Sequence, residues 1–317
     1  MNMSDLLKCL PQHCNEAKEL GKKIRLQARQ VFVTGMGGSA ASGDLLKAYV
    51  SDEINVQVNR DYGIRVDNTS LLFALSYSGN TEETISAFRM AVKCGAKVVG
   101  ISSGGMLKLL CSQFSCPHIL IPGGLPPRLA TPYLFFPMLN VLHNAGLIGD
   151  KSDETRSAIE ALKKDVYEAM GRELAGKLRD RIPVIYASNR YAPVAMKFKT
   201  DINENAKAPA FYNLIPEMNH NEITGYVNRV GNYHVIIIRD EDDEVSIKRR
   251  IDITKRIMKK QGLDVTEIHV KGTSYLTKLF SSLYIGEWTS YHLAKAYSTD
   301  PMPVEIIERF KKELKKI

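Results

Sequence analysis

No stretch of this 317-residue sequence approaches the roughly eighteen consecutive apolar residues that a membrane-spanning helix needs. The richest run, Tyr133-Leu134-Phe135-Phe136-Pro137-Met138-Leu139, is short and holds a proline, so no membrane partner is expected. Met1 to Gln30 carries charges throughout and has no apolar core, which argues against a secretory signal. Cysteine is sparse: Cys9, Cys14, Cys94, Cys111 and Cys116 contain no Cys-x-x-Cys pair and leave one over from any pairing. That pattern fits reduced, mostly buried thiols in a cytoplasmic protein. Low-complexity segments are missing. So are Gly-Lys-Ser/Thr, which a P-loop requires, and His-Glu-x-x-His, the two-histidine face of a zinc protease. His220-Asn221-Glu222 is not followed by the Pro-Cys-x-x-Cys of a zinc deaminase. Cys111, Cys116 and His118 could be gathered round a metal, but Leu110, Phe114 and Ile119 beside them suggest core packing instead. No metal and no other cofactor are expected.

Charge of one sign is not in great excess. Lys and Arg number 43 against 35 Asp and Glu, a formal charge of +8. Such a field favours anionic ligands, sugar phosphates as well as nucleic acid. The basic runs Lys248 to Arg256 and Lys311 to Lys316 are interleaved with carboxylates or lie on surface helices. They read as solvated faces, and no nucleic-acid partner is expected.

What is present is an alternation of short apolar strands with helical patterns. Residues 4 to 29 suggest an amphipathic helix interrupted near Pro11. Strands follow from Val31, at Ile54 to Val58, Leu71 to Leu75, Lys97 to Ser102 and His118 to Ile121. This order predicts an α/β fold with a parallel sheet covered on both faces. Polar, turn-like residues 146 to 152 mark a domain junction, dividing the chain into residues 1–150 and 151–317, with one long connector helix from Asp153 to Arg179. A second series begins at Pro183 to Ser188, with a helix through Ala206, a short strand near Ala210 to Tyr212, and strands at His234 to Ile238 and Val265 to Val270. The strands at Val31 and Val184 each lead into a small-polar turn, so the halves read as divergent repeats. The C-terminus predicts a helix from Leu276 to Ala296, then a last helix with Val304, Ile306, Ile307, Phe310 and Leu314 as its apolar stripe, capped by Thr299 or Asp300.

Two turns carry the chemistry. Val31-Phe32-Val33-Thr34 runs into Gly35-Met36-Gly37-Gly38-Ser39, where glycines let backbone pass close to a ligand ahead of a helix N-terminus. The second turn, Ser76-Tyr77-Ser78-Gly79-Asn80-Thr81, adds three hydroxyls and a tight bend. Gly37, Gly38, Ser39, Ser76, Ser78 and Thr81 together suit a phosphate monoester. Ala40 stands where the dinucleotide fingerprint needs its third glycine.

Gly35-x-Gly37-Gly38-Ser39 followed by Ser76-x-Ser78-Gly79-x-Thr81-x-Glu83 resembles the sugar isomerase (SIS) domain, which binds phosphosugars. Pro126-Pro127-Arg128-Leu129-Ala130, Asn203-Glu204-Asn205-Ala206-Lys207, Met218-Asn219-His220-Asn221-Glu222 and Asp300-Pro301-Met302-Pro303 narrow the choice. In that combination the chain is similar to the bifunctional phosphoglucose/phosphomannose isomerases, from about residue 30 to the end. The resemblance implies two SIS-type, doubly wound parallel-sheet subdomains of flavodoxin-like form. It implies metal-independent interconversion of glucose, fructose and mannose 6-phosphates through a cis-enediol. Glu204 matches the family's base, a role for which a partly buried carboxylate is suited. Arg128 matches the cation at the enediolate, His220 the ring-opening histidine supplied by the partner of a homodimer, and Lys295 a lysine near the ring oxygen. Trp288, Thr289 and Ser290 are candidates for the wall that admits mannose 6-phosphate. Without the resemblance, Glu204 reads as a helix-surface carboxylate paired with Lys207 or Lys199, Arg128 as a loop arginine and His220 as a satisfied loop histidine. A phosphosugar-binding regulator and an amino-sugar phosphate isomerase are the alternative functions. Regulators of this kind usually carry a helix-turn-helix module, and the residues before Val31 are too few for one.

Overall fold

The computed structural model describes residues 2–228 and 230–314. Lys315 and Lys316 of the terminal basic run lie outside the described residues. Among the described residues nine strands form two sheets: β1 (Gln30–Thr34), β2 (Val56–Asn59), β3 (Ser70–Leu75), β4 (Lys97–Ser102) and β5 (His118–Leu120) in the first, and β6 (Ile182–Ser188), β7 (Phe211–Ile215), β8 (Tyr233–Arg239) and β9 (Asp264–His269) in the second. The chain divides into two compact units. One comprises Lys8–Lys164 with Lys271–Ser281, and the other Met1–Leu7, Asp165–Val270 and Ser282–Ile317.

In the unit built on Lys8–Lys164, the order is β2-β1-β3-β4-β5 and every pairing is parallel. Leu71 to Leu75 are fully buried, as a central strand covered on both faces requires. Phe32, Leu72, Ala74 and Val98 pack with Phe88, Leu107 and Leu110 of the helices Glu82–Lys93 and Gly105–Gln113. Gly100 on β4 leaves space for the Cys111 sulfur, which would lie 2.4 Å from an added Cβ, and burial pushes the Cys111 thiol up to about 12. The apolar run Tyr133 to Leu139 is the buried middle of a helix, Thr131–Asn144, whose Phe136 stacks on Phe280 while Phe135 meets the same ring edge-on. No helix among the described residues is long and apolar enough to cross a membrane. None of the five cysteines forms a disulfide: Cys14 and Cys111 are buried, Cys9 and Cys116 half-buried and Cys94 exposed.

In the other unit the order is β7-β6-β8-β9, again all parallel. With β6 in the place of β1, this is the first sheet's order less its last strand. Three expected helices differ from the structure. The N-terminal helix is two short ones, Met3–Lys8 and Leu10–Ala17, followed by turns. The connector breaks at residues 163–165 into Ser152–Leu162 and Val166–Leu178, because Lys163-Lys164-Asp165 offers no apolar side chain to continue the stripe. The helix expected through Ala206 keeps α geometry only over Ala192–Asp201. The last helix is Glu305–Leu314, and its stripe is exposed, Ile306 at 84% and Phe310 at 62%. Asp300 does not cap it, but accepts from the Met302 N–H in the preceding turn.

Helix Val166–Leu178 packs on Tyr275–Ala296 through a glycine. A Cβ at Gly171 would lie 2.5 Å from the Trp288 Cβ and 2.8 Å from the Thr289 nitrogen, and backbone cannot swing aside. Gly171→Ala gains about 1 kcal/mol of helix propensity but overpacks at a cost of about 1–3 kcal/mol. Net destabilisation is expected, read as a lower urea midpoint at unchanged slope.

Candidate active site

β1 and β3 are neighbours, and β2 continues the sheet on the far side of β1, so the order of strands reverses between them. Ligands of open parallel sheets bind outside the carboxyl ends of strands at such a point. Both sequence-predicted turns lie there, each leading into a helix, Gly37–Tyr49 after β1 and Glu82–Lys93 after β3. Ser39 and Ser76 are buried, Thr81 half-buried and Ser78 exposed. Ser76 Oγ and Thr81 Oγ1 share a hydrogen bond of 2.8 Å, and the Thr81 and Asn80 N–H groups donate to Ser76 Oγ and Ser78 Oγ at 3.3 Å. The hydroxyls therefore shape the turn from which they are presented. Glu82 and Glu83 follow in the first helical turn.

Gly79 is held by a second loop. Its φ is +72°, and an added Cβ would meet the Gly104 carbonyl oxygen at 1.8 Å. The Leu107 N–H donates to the Gly79 carbonyl at 2.8 Å and the Met106 N–H to Asn80 Oδ1 at 3.0 Å. Ser102 Oγ donates to the Gly104 carbonyl at 2.7 Å, so the His118 Nε2 at 2.8 Å from that hydroxyl is its donor. Burial, then Lys108, pushes His118 below its ordinary range and keeps the ring neutral. His118 thus braces a loop, and among the described residues no group of three His, Cys, Asp or Glu side chains could hold a metal. Ser102, His118 and Gly104 were not singled out from sequence as supports of this turn.

The first turn is joined by Arg128. Gly37 has φ +50°, and a Cβ on Gly38 would lie 3.1 Å from the Pro127 oxygen and 3.3 Å from the Arg128 Cα. Bare glycine lets the short helix Pro127–Leu129 abut the cradle, and Arg128 is buried there at 4% exposure.

Glu204, His220 and Lys295 belong to the other unit. Glu204 sits half-buried in a single π-helical turn, Ile202–Ala206, closed by Lys207 in the left-handed region at φ +53°. Such turns recur at functional positions. Asn203 Nδ2 donates to the Ala208 carbonyl, Asn205 Nδ2 to Ser290 Oγ and Lys207 Nζ to the Asp300 carbonyl, at 2.7–2.8 Å. His220 ends a 3-10 turn, Glu217–His220, and is exposed. The segment is pinned by Glu222, which accepts from Tyr186 Oη at 2.5 Å and from Asn213, while Asn219 donates to Thr254 Oγ1 at 2.7 Å. Lys295 lies exposed in the last turn of Tyr275–Ala296.

Trp288, Thr289 and Ser290 do not offer the wall expected of them. All three are buried. Thr289 Oγ1 donates to the Ile285 carbonyl, and Ser290 Oγ donates to the Glu287 carbonyl while accepting from Asn205. Beside them lies a buried ionic cluster. Lys197 Nζ is 2.8 Å from both Asp201 oxygens and 3.2 Å from Glu287 Oε1. Burial pushes Lys197 down, but Asp201 and Glu287 outweigh it and the ammonium is held above its ordinary range. Burial raises Glu287 against the pull of Lys197.

From the second turn follows a binding prediction. Gly79→Ala must move the turn off Gly104, and calorimetry should find affinity for a phosphate monoester lowered at least about tenfold, roughly 1.4 kcal/mol.

The model of the bacterial phospho-glucose isomerase C-terminal SIS domain matches residues 168–314. The chain is 37% identical to a bifunctional phosphoglucose/phosphomannose isomerase of Caldicellulosiruptor bescii over 97% of both chains. It is 36% identical to one of Aquifex aeolicus over 95% of both. A D-glucosamine-6-phosphate 4-epimerase of Sulfolobus acidocaldarius is 32% identical over 68% of this chain and 70% of its own. Among solved structures, a hypothetical protein of Thermus thermophilus superposes with a TM-score of 0.80 at 16% identity, covering 98% of this chain and 89% of its own. That likeness carries the fold, and the full-length identities carry the family: the chain belongs to the bifunctional phosphoglucose/phosphomannose isomerases.

Proposed function

We propose that the protein interconverts glucose 6-phosphate and mannose 6-phosphate with fructose 6-phosphate, without a metal, through a cis-enediol. The observation that carries this is the pair of glycine- and hydroxyl-rich turns at the carboxyl ends of β1 and β3, with Arg128 packed against Gly38, in a chain 37% identical to a relative so named. Residues 1–150 hold the phosphate through Gly37, Gly38, Ser39, Ser76, Ser78 and Thr81. Residues 151–317 supply the acid–base groups.

The chemistry follows from the side chains. His220, contributed by the partner of a homodimer, moves the proton that opens the ring, and Lys295 lies near the ring oxygen. The Glu204 carboxylate takes the C2 proton of the open aldose, and the bonding pair becomes the C1–C2 double bond. The C1 oxygen gains the negative charge, which the Arg128 guanidinium stabilises because it stays protonated throughout. Passage of the C2 hydroxyl proton to the C1 oxygen, with return of the carbon-bound proton from Glu204 to C1, gives the ketose with its C2 carbonyl. Glucose and mannose differ only at C2, so a turn about C2–C3 presents either face to the same base. A cytoplasmic setting is part of this reading, and it is supported by five thiols of which none is in a disulfide.

The relationship to a D-glucosamine-6-phosphate 4-epimerase favours a second reading, action on an amino-sugar phosphate. Purified protein given fructose 6-phosphate in EDTA, and separately glucosamine 6-phosphate, distinguishes them. Formation of both glucose and mannose 6-phosphates is expected. Conversion of the amino sugar alone, or binding without turnover as a regulator would show, overturns the proposal. Glu204→Gln should lower both activities about 10²–10⁴-fold while phosphosugar affinity stays within about threefold. Substantial residual turnover would remove Glu204 as the base.

A further inference from the structure

The turn that carries Glu204 is a single turn of π geometry, Ile202–Ala206, a form rare enough that it needs support from its surroundings. Two anchors flank Glu204. Asp201 precedes it and is bound through Lys197 to Glu287, and Asn205 follows it and is bound to Ser290. Both anchors therefore reach one turn of the helix Tyr275–Ala296, and Ser290 Oγ donates to the Glu287 carbonyl within that turn. Gly286 brings the helices together, since a Cβ there would lie 3.0 Å from the Phe198 ring. Lys197, Asp201 and Glu287 are 1–3% exposed, which keeps them out of reach of a substrate. One ammonium faces two carboxylates, and burial raises Glu287, so the cluster gains neutrality when Glu287 holds a proton.

We propose that Glu287, with Lys197 and Asp201, is a positioning residue that fixes the π-turn and so aims the Glu204 carboxylate at the carbon-bound proton. The proposal rests on Glu204 being the base. Ser290 has the same task on the other side of Glu204, through Asn205.

Glu287→Leu keeps most of the volume, removes the tie to Lys197 and leaves Lys197–Asp201 a neutral pair, so the fold is expected to survive. Misaiming a base by about an ångström costs roughly a hundredfold. The expected result is kcat lowered about tenfold to a hundredfold with KM within about twofold, and a larger isotope effect on substrate deuterated at C2. Glu287→Gln, which returns an oxygen to Lys197, should restore most of kcat. Should Glu287→Leu not fold, Ser290→Ala should show the same split and the same rise in isotope effect. Wild-type kcat in the Leu variant, or a loss unaccompanied by a changed isotope effect and not rescued by Gln, overturns the proposal. Glu204→Gln is run beside it: an inactive Glu204→Gln with a fully active Glu287→Leu ends the positioning role and leaves the base, whereas an active Glu204→Gln ends the base and the positioning role with it.

Discussion

The parallel pairing of β1 with β3 is the constraint on which the proposed phosphate-binding end depends. Because the two strands run in the same direction, the turns that follow them emerge on one edge of the sheet. Their connections depart to opposite sides, since β2 lies beyond β1 and β4 beyond β3, so a crevice opens between them. Antiparallel strands would send the two hydroxyl-bearing turns to opposite edges. The glycines then set how closely other loops approach this crevice. Gly38 admits Pro127 and Arg128, and Gly79 lies on the Gly104 carbonyl. A side chain at Gly79 is excluded and one at Gly38 would crowd the Pro127 carbonyl, for steric reasons independent of any ligand.

The unit containing β6 repeats the layout with different chemistry. β6 leads into a short 3-10 turn and the helix Ala192–Asp201 rather than into a glycine cradle. Distinctive geometry appears at the other end of that helix, where α geometry gives way to the π-turn. Order there comes from side chains: amides, an ammonium and carboxylates tie the segment to the long helix. One unit presents backbone and hydroxyls, and the other holds an ionisable group on a braced turn.

The elements of the fold were legible because each buried strand is a continuous apolar run bounded by turn residues. Nine strands were expected, and nine are found among the described residues within about three residues of their expected bounds. The two turns after β1 and β3 were legible as turns because glycine and serine cluster there. What escaped was long-range. Lys197 and Asp201 stand four apart, the spacing of an ordinary exposed helix pair, and nothing nearby signals that Glu287, 90 residues on, closes over them. Nor did Glu222 stand out from its neighbours, although Tyr186 and Asn213 make it the pin of the His220 segment. No glycine or proline marks the change to π geometry within Ile202–Ala206, so the pattern continued as helix. The hydroxyls of Thr289 and Ser290 suggested a polar wall, but a helix interior can satisfy such groups on its own carbonyls.

Trp288 is the only tryptophan in the sequence, and it lies 1% exposed between Gly171 on one helix and His292, stacked at 5.8 Å, on its own. Its indole shares a helical turn with Glu287 and Ser290. Emission excited at the red edge of the protein spectrum therefore comes from one known place, beside the ionic cluster. The molecule carries a built-in optical probe of the helix against which the Glu204 turn is braced.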